Sequence, residues 1–191
     1  MSSLQCATTL VVARHGEAEY EESEWNGEGG SLTPLGRRQS AGLAEVLAAR
    51  RVAHVWTSTL ARAVQTGEIV AARLGVGVTT RLGLREPALT DPEPDLDGLL
   101  RTVERWQAGD LDARAPGSET GTEIAERVGA VLREVADAHP GETVLVVSHG
   151  SAIGLGVPAL CRMDVIRTSL DNAATVEVLA DADGWVCTRW G

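Results

Sequence analysis

Two short apolar runs, each leading into a His-Gly dipeptide, constrain the fold most strongly. Residues 8–13 read TTLVVA and continue into Arg14 and His15, and residues 142–150 read ETVLVVSHG. A short apolar run rich in β-branched residues and stopped by a glycine is typical of a fully buried strand. Such strands belong to parallel sheets that helices cover on both faces. The two runs predict an α/β fold in which buried strands end at a histidine.

Helical and strand patterns alternate along the rest of the chain. Thr33 is a predicted N-cap with Pro34 at the first helical position, and this helix is expected to bury one face made of Leu35, Leu43, Val46 and Leu47. Further elements are predicted as strands at 52–58 and 76–86, helices at 59–75, 96–107 and 117–139, and a terminal hairpin turning at Asp183-Gly184.

This alternation predicts a three-layer architecture, with a mostly parallel sheet and helices on both of its faces. The chain has 191 residues and no linker or repeat, so a single domain over residues 1–191 is expected. Two segments, at about 17–31 and 87–118, are predicted to be loops beside the functional site. The breadth of the pocket is expected to depend on these two segments, which are acidic and carry Trp25 and Trp106.

Charge and composition narrow the classes of partner. The net charge is −10 and all seventeen cations are Arg, without a basic stripe, so no nucleic acid is expected to bind. The three cysteines show no metal-ligand spacing, which favours reduced thiols. The N-terminus carries no signal-peptide pattern and no apolar run reaches a membrane-spanning length, so we expect a cytoplasmic protein without membrane contact. The sequence is compatible with a homodimer and does not decide the oligomeric state.

The polar residues after the predicted strands are the candidates for chemistry. In open α/β sheets, ligands bind beyond the carboxyl ends of the strands. The first strand delivers Arg14 and His15 to that edge, and three further groups are expected there: Ser58 and Thr59 with Arg62, then Glu86, then Ser148 with His149. Two arginines and a helix N-terminus suit a tetrahedral dianion such as phosphate.

The converging residue types have a chemical meaning together. A neutral imidazole can attack phosphorus and carry the phosphoryl group covalently. A second histidine can donate a hydrogen bond to the same group, and a carboxylic acid can protonate the leaving oxygen. No metal or other cofactor is expected, because the arginines supply positive charge. His54 and His139 are interpreted instead as a packing residue and a helix-end residue.

Five stretches in a fixed order resemble the histidine phosphatase superfamily, whose fold is phosphoglycerate-mutase-like. They read RHGE, LTPLGRRQ, STLARAVQT, LRE and VSHG, and the resemblance spans nearly the whole chain. It implies that His15 is the nucleophile that becomes phosphohistidine and that Glu86 is the proton donor. It implies a phosphate pocket made by Arg14, Arg62 and His149.

Several positions depart from the usual pattern of that family. Ala18 fills a position where many members have Thr, and Asn26 follows the RHG stretch at a longer distance than usual. Asn26 is carried here as a further candidate phosphate ligand. Ser151 replaces a common glycine and is expected to crowd or hydrogen-bond the pocket edge. Rival acids to Glu86 follow it at Asp91, Glu93 and Asp95.

The leading expectation is a metal-independent phosphomonoesterase that acts on a small phosphorylated metabolite. The nearest alternative is a cofactor-dependent phosphoglycerate mutase, but mutases of this family are longer between the acid and the second histidine. Only 63 positions separate Glu86 from His149 here. A non-catalytic phospho-ligand binder would be expected to lack His15 or Glu86. A metal-dependent hydrolase is disfavoured because the four histidines show no HxH or HExxH pairing.

Overall fold

The computed structural model describes residues 6–19, 30–87, 96–167 and 169–191. Its strands are β1 (Thr8–Arg14), β2 (Ala18–Glu19), β3 (Ser31–Leu32), β4 (Val52–Ser58), β5 (Val78–Arg81), β6 (Thr143–Ser148), β7 (Thr175–Asp181) and β8 (Gly184–Trp190). Its α-helices are α1 (Pro34–Leu47), α2 (Ala61–Leu74), α3 (Leu96–Gln107), α4 (Gly121–Ala138) and α5 (Gly150–Leu160). None of these helices is both long enough and apolar enough to cross a membrane.

Six of the strands form one sheet in the order β5-β4-β6-β1-β7-β8. The first four are mutually parallel, β7 pairs with β1 in antiparallel orientation, and β8 pairs with β7 in antiparallel orientation at the edge of the sheet. The predicted α/β architecture with a mostly parallel sheet is confirmed. Because the carboxyl ends of parallel strands meet at one edge, the segments after β1, β4 and β6 begin side by side.

Alternate residues of each central strand enter the two cores on opposite faces of the sheet. Leu10 and Val12 pack into a core with residues of α4 and α5, whereas Val11 and Ala13 pack with residues of α1 and α2. Helices therefore cover both faces, as predicted. Trp106 of α3, within the segment 87–118, is fully buried in the first core and donates a hydrogen bond to the Ala113 carbonyl.

Helix α1 begins as predicted, although its buried face is narrower. The Thr33 hydroxyl accepts a hydrogen bond from the Gly36 N–H, which is the expected N-cap, and Pro34 is the first helical residue. Leu43 and Leu47 are buried. Leu35 and Val46 are exposed, Val46 to 72%, so those two members of the predicted face are wrong. A helix on the outside of a three-layer fold buries only one stripe, and both residues lie outside it.

Two elements differ from the prediction near the functional edge. β5 ends at Arg81, and a 3-10 turn at Leu82–Leu84 follows, so Glu86 is delivered by a turn and not by a strand. The second difference is α5, which the sequence patterns did not indicate because Gly154, Gly156 and Pro158 all disfavour helix.

Tertiary contacts explain why α5 is helical despite this composition. A Cβ on Gly156 would lie 2.3 Å from Cγ1 of Val128, so the missing side chain lets α5 pack closely against α4. Pro158 has no N–H to donate to the Gly154 carbonyl four residues earlier. The Arg167 N–H donates to that carbonyl instead, at 3.3 Å. The α5 N-terminus is thereby placed directly after His149.

Candidate active site

The edge formed by the carboxyl ends of β1, β4 and β6 gathers the predicted site residues. Arg14 is in register with Ser148, and His15 and His149 follow these two residues directly. The ring centroids of His15 and His149 are 5.1 Å apart. Arg14 and Arg62 both influence the pKa values of His15, Glu86 and His149, so all five residues share one electrostatic environment.

His15 is buried as a neutral imidazole with one nitrogen committed to the backbone. It is 4% exposed, and its Nδ1 lies 2.7 Å from the Gly16 carbonyl oxygen. A carbonyl only accepts, so Nδ1 carries the proton and Nε2 carries the lone pair. Burial lowers the pKa of His15 to about 4, with Arg62 and Arg14 adding to the fall and the bond to Gly16 opposing it. The Nε2 lone pair is therefore available at neutral pH.

The chain around His15 is held by neighbours on three sides. Thr66 of α2 accepts a hydrogen bond from the Gly16 N–H at 3.0 Å, and Asn172 donates to the His15 carbonyl at 3.1 Å. A Cβ on Gly16 would lie 2.5 Å from the Gly36 carbonyl oxygen, so only glycine allows this approach to α1. These bonds fix the position of the imidazole.

His149 is bonded through only one of its ring nitrogens among the described residues. It is fully buried, and its Nε2 lies 2.8 Å from the Ser58 hydroxyl oxygen. That oxygen also accepts a hydrogen bond from the Leu60 N–H at 3.2 Å. Nδ1 of His149 has no hydrogen-bond partner among the described residues. Burial first, and then Arg62 and His15, hold the pKa of His149 well below its usual value.

Two guanidinium groups provide the positive charge of the site. Arg62 lies in the first turn of α2 and is almost completely buried. Arg14 donates through Nη1 to the Leu170 carbonyl, and its buried Nε has no partner within the described part of the chain. A buried guanidinium nitrogen without a protein partner, here Nε of Arg14, favours an anionic ligand.

Glu86 is a carboxyl group held by the start of α5. Its two oxygens accept hydrogen bonds from the Ser151 and Ala152 N–H groups, each at 3.3 Å. Burial raises the pKa of Glu86 above its ordinary value, although these two bonds and the charges of Arg62 and Arg14 oppose the rise. A raised pKa keeps a proton on the carboxyl at higher pH, which an acid catalyst requires. The backbone of Ser151 thus reaches the pocket edge.

The remaining predicted candidates lie outside the described residues: Trp25, Asn26, Asp91, Glu93 and Asp95. The sequence argument missed three supporting contacts: Ser58 with His149, Asn172 with the His15 carbonyl, and Thr66 with the N–H of Gly16. Ser58 and Thr66 stand within the quoted stretch STLARAVQT, which is the signal that could have indicated them. Among the described residues, no group of three or more His, Cys, Asp or Glu could hold a metal ion.

The comparison with protein families agrees with this geometry. The profile of the family described as histidine phosphatase superfamily (branch 1) matches residues 10–191. A protein named probable phosphoglycerate mutase GpmB from Cronobacter sakazakii is 33% identical, in a match that covers 95% of this chain and 89% of the relative. A protein of the same name from Salmonella typhi is 30% identical with the same coverage.

Solved structures show the same fold. A Bacillus stearothermophilus protein, YhfR, superposes with a TM-score of 0.79 at 27% identity and covers 95% of both chains. A mycobacterial glucosyl-3-phosphoglycerate phosphatase has a TM-score of 0.78 at 24% identity, over 96% of this chain and 98% of its own. A phosphoglycerate mutase from Bacillus anthracis has a TM-score of 0.82 at 19% identity, over 98% and 94%.

Proposed function

This chain belongs to the histidine phosphatase superfamily, and we propose that it hydrolyses small phosphomonoesters through a phosphohistidine on His15. One observation carries the proposal. His15 is a buried neutral imidazole whose Nδ1 proton is committed to the Gly16 carbonyl. Its Nε2 lone pair lies in the same pocket as two arginines and a carboxyl group of raised pKa.

The first step transfers the phosphoryl group to the enzyme. Nε2 of His15 attacks phosphorus, a nitrogen–phosphorus bond forms, and the bond from phosphorus to the ester oxygen breaks. Glu86 gives its proton to that departing oxygen and becomes a carboxylate, so an alcohol leaves. The guanidinium groups of Arg14 and Arg62 stabilise the charge on the transferring group, and His149 donates a hydrogen bond to it through Nδ1, the ring nitrogen that has no partner among the described residues.

The second step returns the enzyme to its starting state. The Glu86 carboxylate takes a proton from water, whose oxygen attacks phosphorus. The nitrogen–phosphorus bond breaks, inorganic phosphate leaves, and His15 is again neutral. The same carboxyl group serves as acid and then as base, which its poised environment permits.

Metal independence is part of the proposal, because Arg14 and Arg62 supply the positive charge that a metal would otherwise bring. Activity should survive EDTA. Vanadate, which imitates a phosphoryl group in transfer, should inhibit.

A phosphoglycerate mutase is the second candidate, favoured by the names of the relatives at 33% and 30% identity. Such a mutase must pass the phosphoryl group to a second hydroxyl and exclude water. Hydrolysis is supported here by the short segment of 63 positions between Glu86 and His149. In mutases of this family, longer insertions there close over the substrate.

A single screen of the purified protein separates the candidates. Phosphate release is measured from a panel of phosphorylated metabolites, and interconversion of 2- and 3-phosphoglycerate is measured with and without 2,3-bisphosphoglycerate. We expect phosphate release from alkyl phosphates that EDTA leaves unchanged. Interconversion faster than release would identify a mutase, and activity restored by a divalent cation after chelation would identify a metal hydrolase. Ligand binding without turnover would identify a binding module.

A further inference from the structure

Glu86 lies on a segment that no strand ladder supports. β5 ends five residues earlier, at Arg81, and the 3-10 turn at Leu82–Leu84 follows it. An acid that must place a proton on one leaving oxygen has to be held within a fraction of an ångström. The bonds that hold this segment therefore decide whether Glu86 can act.

Besides the bonds from α5 to the Glu86 carboxyl, three bonds to the backbone of this segment come from one side chain, Arg127 of α4. Its Nη1 donates to the carbonyl oxygens of Gly83 at 3.0 Å and Arg85 at 2.8 Å. Its Nη2 donates to the carbonyl oxygen of Glu86 itself at 3.3 Å. Its Nε and Nη2 also pair with the two carboxylate oxygens of Glu119, at 2.7 and 2.8 Å.

Gly83 lets the turn approach α4 closely enough for these contacts. A Cβ at Gly83 would lie 2.7 Å from Cγ2 of Val131 and 3.1 Å from the Arg127 carbonyl oxygen. On the sheet side, the Ser148 hydroxyl donates to the Leu84 carbonyl at 2.7 Å. The turn is thus fixed between α4 and the strand end that precedes His149.

We propose that Arg127, oriented by Glu119, is a positioning residue that holds Glu86 over the leaving group. The guanidinium group is planar, with five donors in a fixed fork, so it can serve three carbonyls and a carboxylate together. A lysine ammonium keeps the charge but cannot reproduce that fork. The inference rests on the proposed function, because it assigns the effect of Arg127 to the acid step.

The first test measures the carboxyl group directly and needs no turnover. The pKa of Glu86 is followed by ¹³C NMR, with Glu86→Gln used to assign the signal. Burial raises this pKa, so a loosened turn that admits water should let it fall toward its ordinary value in Arg127→Lys. The matched control is Glu134→Gln, which breaks an exposed ion pair between the same helix and Arg81 and should leave the Glu86 titration unchanged.

The second test is a double-mutant cycle on single-turnover phosphorylation. Glu86→Gln should slow transfer from an alkyl phosphate by roughly 10²- to 10⁴-fold and from p-nitrophenyl phosphate much less, because nitrophenolate leaves without a proton. Arg127→Lys should slow the alkyl reaction by about 10-fold or more with little change for p-nitrophenyl phosphate. In the Glu86→Gln background, Arg127→Lys should have almost no further effect, because the residues act as one unit.

Equal losses for both leaving groups, an additive cycle, or an unchanged Glu86 titration would overturn the inference. Thermal unfolding of each variant confirms that the compared proteins are folded. If Arg127→Lys does not fold, Glu119→Gln takes its place, since it keeps the guanidinium but removes the charge that orients it. A wild-type protein that releases no phosphate would refute the proposed function, while the titration would still decide the role of Arg127.

Discussion

The structure contains two close pairs of histidines, and only one of them has the properties of a reactive site. His15 and His149 lie beyond the carboxyl ends of the parallel strands with ring centroids 5.1 Å apart. His54 and His139 lie toward the amino ends of the same sheet, 5.5 Å apart and nearly parallel. Residue type and spacing are similar in both pairs, so the difference must come from their surroundings.

In the second pair, both His54 and His139 are hydrogen-bonded to other side chains of the protein. The Trp56 indole N–H donates to Nε2 of His139 at 3.1 Å, so Nδ1 of His139 carries the proton that it shares with Glu142 at 2.8 Å. Nε2 of His54 lies 2.9 Å from the Thr79 hydroxyl. His139 is also the C-cap residue of α4, which confirms its interpretation as a helix-end residue. This pair is a structural connection between α4 and the sheet.

In the first pair, His15 and His149 each have a ring nitrogen that remains available to bond a ligand. Nδ1 of His149 has no partner among the described residues, and Nε2 of His15 carries a lone pair. The neighbouring cations differ in the same way. Arg81, which lies over the ring of Trp56, is bonded to Glu134, whereas the buried Nε of Arg14 has no partner in the described part of the chain. Buried donors and acceptors without protein partners mark the reactive pair.

Replacing one histidine in each pair should distinguish the two pairs most clearly, because only the first pair is expected to contribute to turnover. His149→Asn removes a donor to the phosphoryl group and should lower kcat/KM by about 10³-fold, the upper range for losing one such donor. His139→Asn should leave kcat/KM within about twofold, because its bonds are all to protein groups. Steady-state kinetics on the best substrate of the panel measure both. Similar losses in the two variants would remove the distinction.

Replacing Arg62 and Arg81 should give a smaller difference in kcat/KM than replacing the two histidines. Arg62→Lys keeps the charge but loses the planar fork, and we expect about 10²-fold lower kcat/KM. Arg81→Lys should retain the activity, because that guanidinium serves Glu134 and Trp56. Nearly normal turnover in Arg62→Lys would show that Arg62 does not grip the phosphoryl group.

The buried neutral state of His15 should appear in the pH dependence of stability. The folded pKa of His15, about 4, lies below the ordinary histidine value of 6.5, so the unfolded chain binds a proton between these values and the folded protein does not. Unfolding free energy should therefore fall as pH drops from 6.5 to 4, by about 3 kcal/mol from this residue. Urea unfolding at several pH values should show a smaller fall in His15→Asn. Parallel curves for both proteins would mean that His15 is not buried in its neutral form.

Removing a histidine from the second pair, His54 and His139, should cause a modest loss of stability. His139→Asn removes the hydrogen bonds to Trp56 and Glu142, and we expect a loss of about 1–2 kcal/mol in unfolding free energy. Chemical unfolding at pH 7 measures it. Glu142→Gln, which keeps an acceptor for His139, should lose less. An unchanged midpoint in His139→Asn would show that this pair does not stabilise the fold.

The strand ends were predictable because buried strands and their terminal residues leave a local signal. Arg14 follows an apolar run directly, His15 and His149 each come one residue after such a run, and the sheet edge brings them together. The bonds that orient these residues have no such signal. Arg127 reaches carbonyls more than forty positions away, and Asn172 bonds His15 across 157 positions. Their roles depend on tertiary packing, which periodicity does not describe.

Local propensity also misled where tertiary contacts dominate. Gly154, Gly156 and Pro158 in α5 argue against a helix, yet Gly156 is required by the contact with Val128, and Arg167 satisfies the carbonyl that Pro158 leaves free. The missed helix supplies the N–H groups that hold Glu86. The sequence therefore predicted Glu86 as the candidate acid, but it did not predict the α5 N–H groups that hold the Glu86 carboxyl.

The central claim is that His15 carries the phosphoryl group, and trapping that intermediate tests it most directly. The purified protein is mixed with a ³²P-labelled substrate from the panel and quenched within milliseconds. We predict a label on the wild-type protein that is stable in alkali, lost in acid, and located on the peptide that contains His15. His15→Ala should take up no label and should lose turnover by on the order of 10⁴-fold or more while remaining folded. A label on another residue, or wild-type turnover in His15→Ala, would contradict the account.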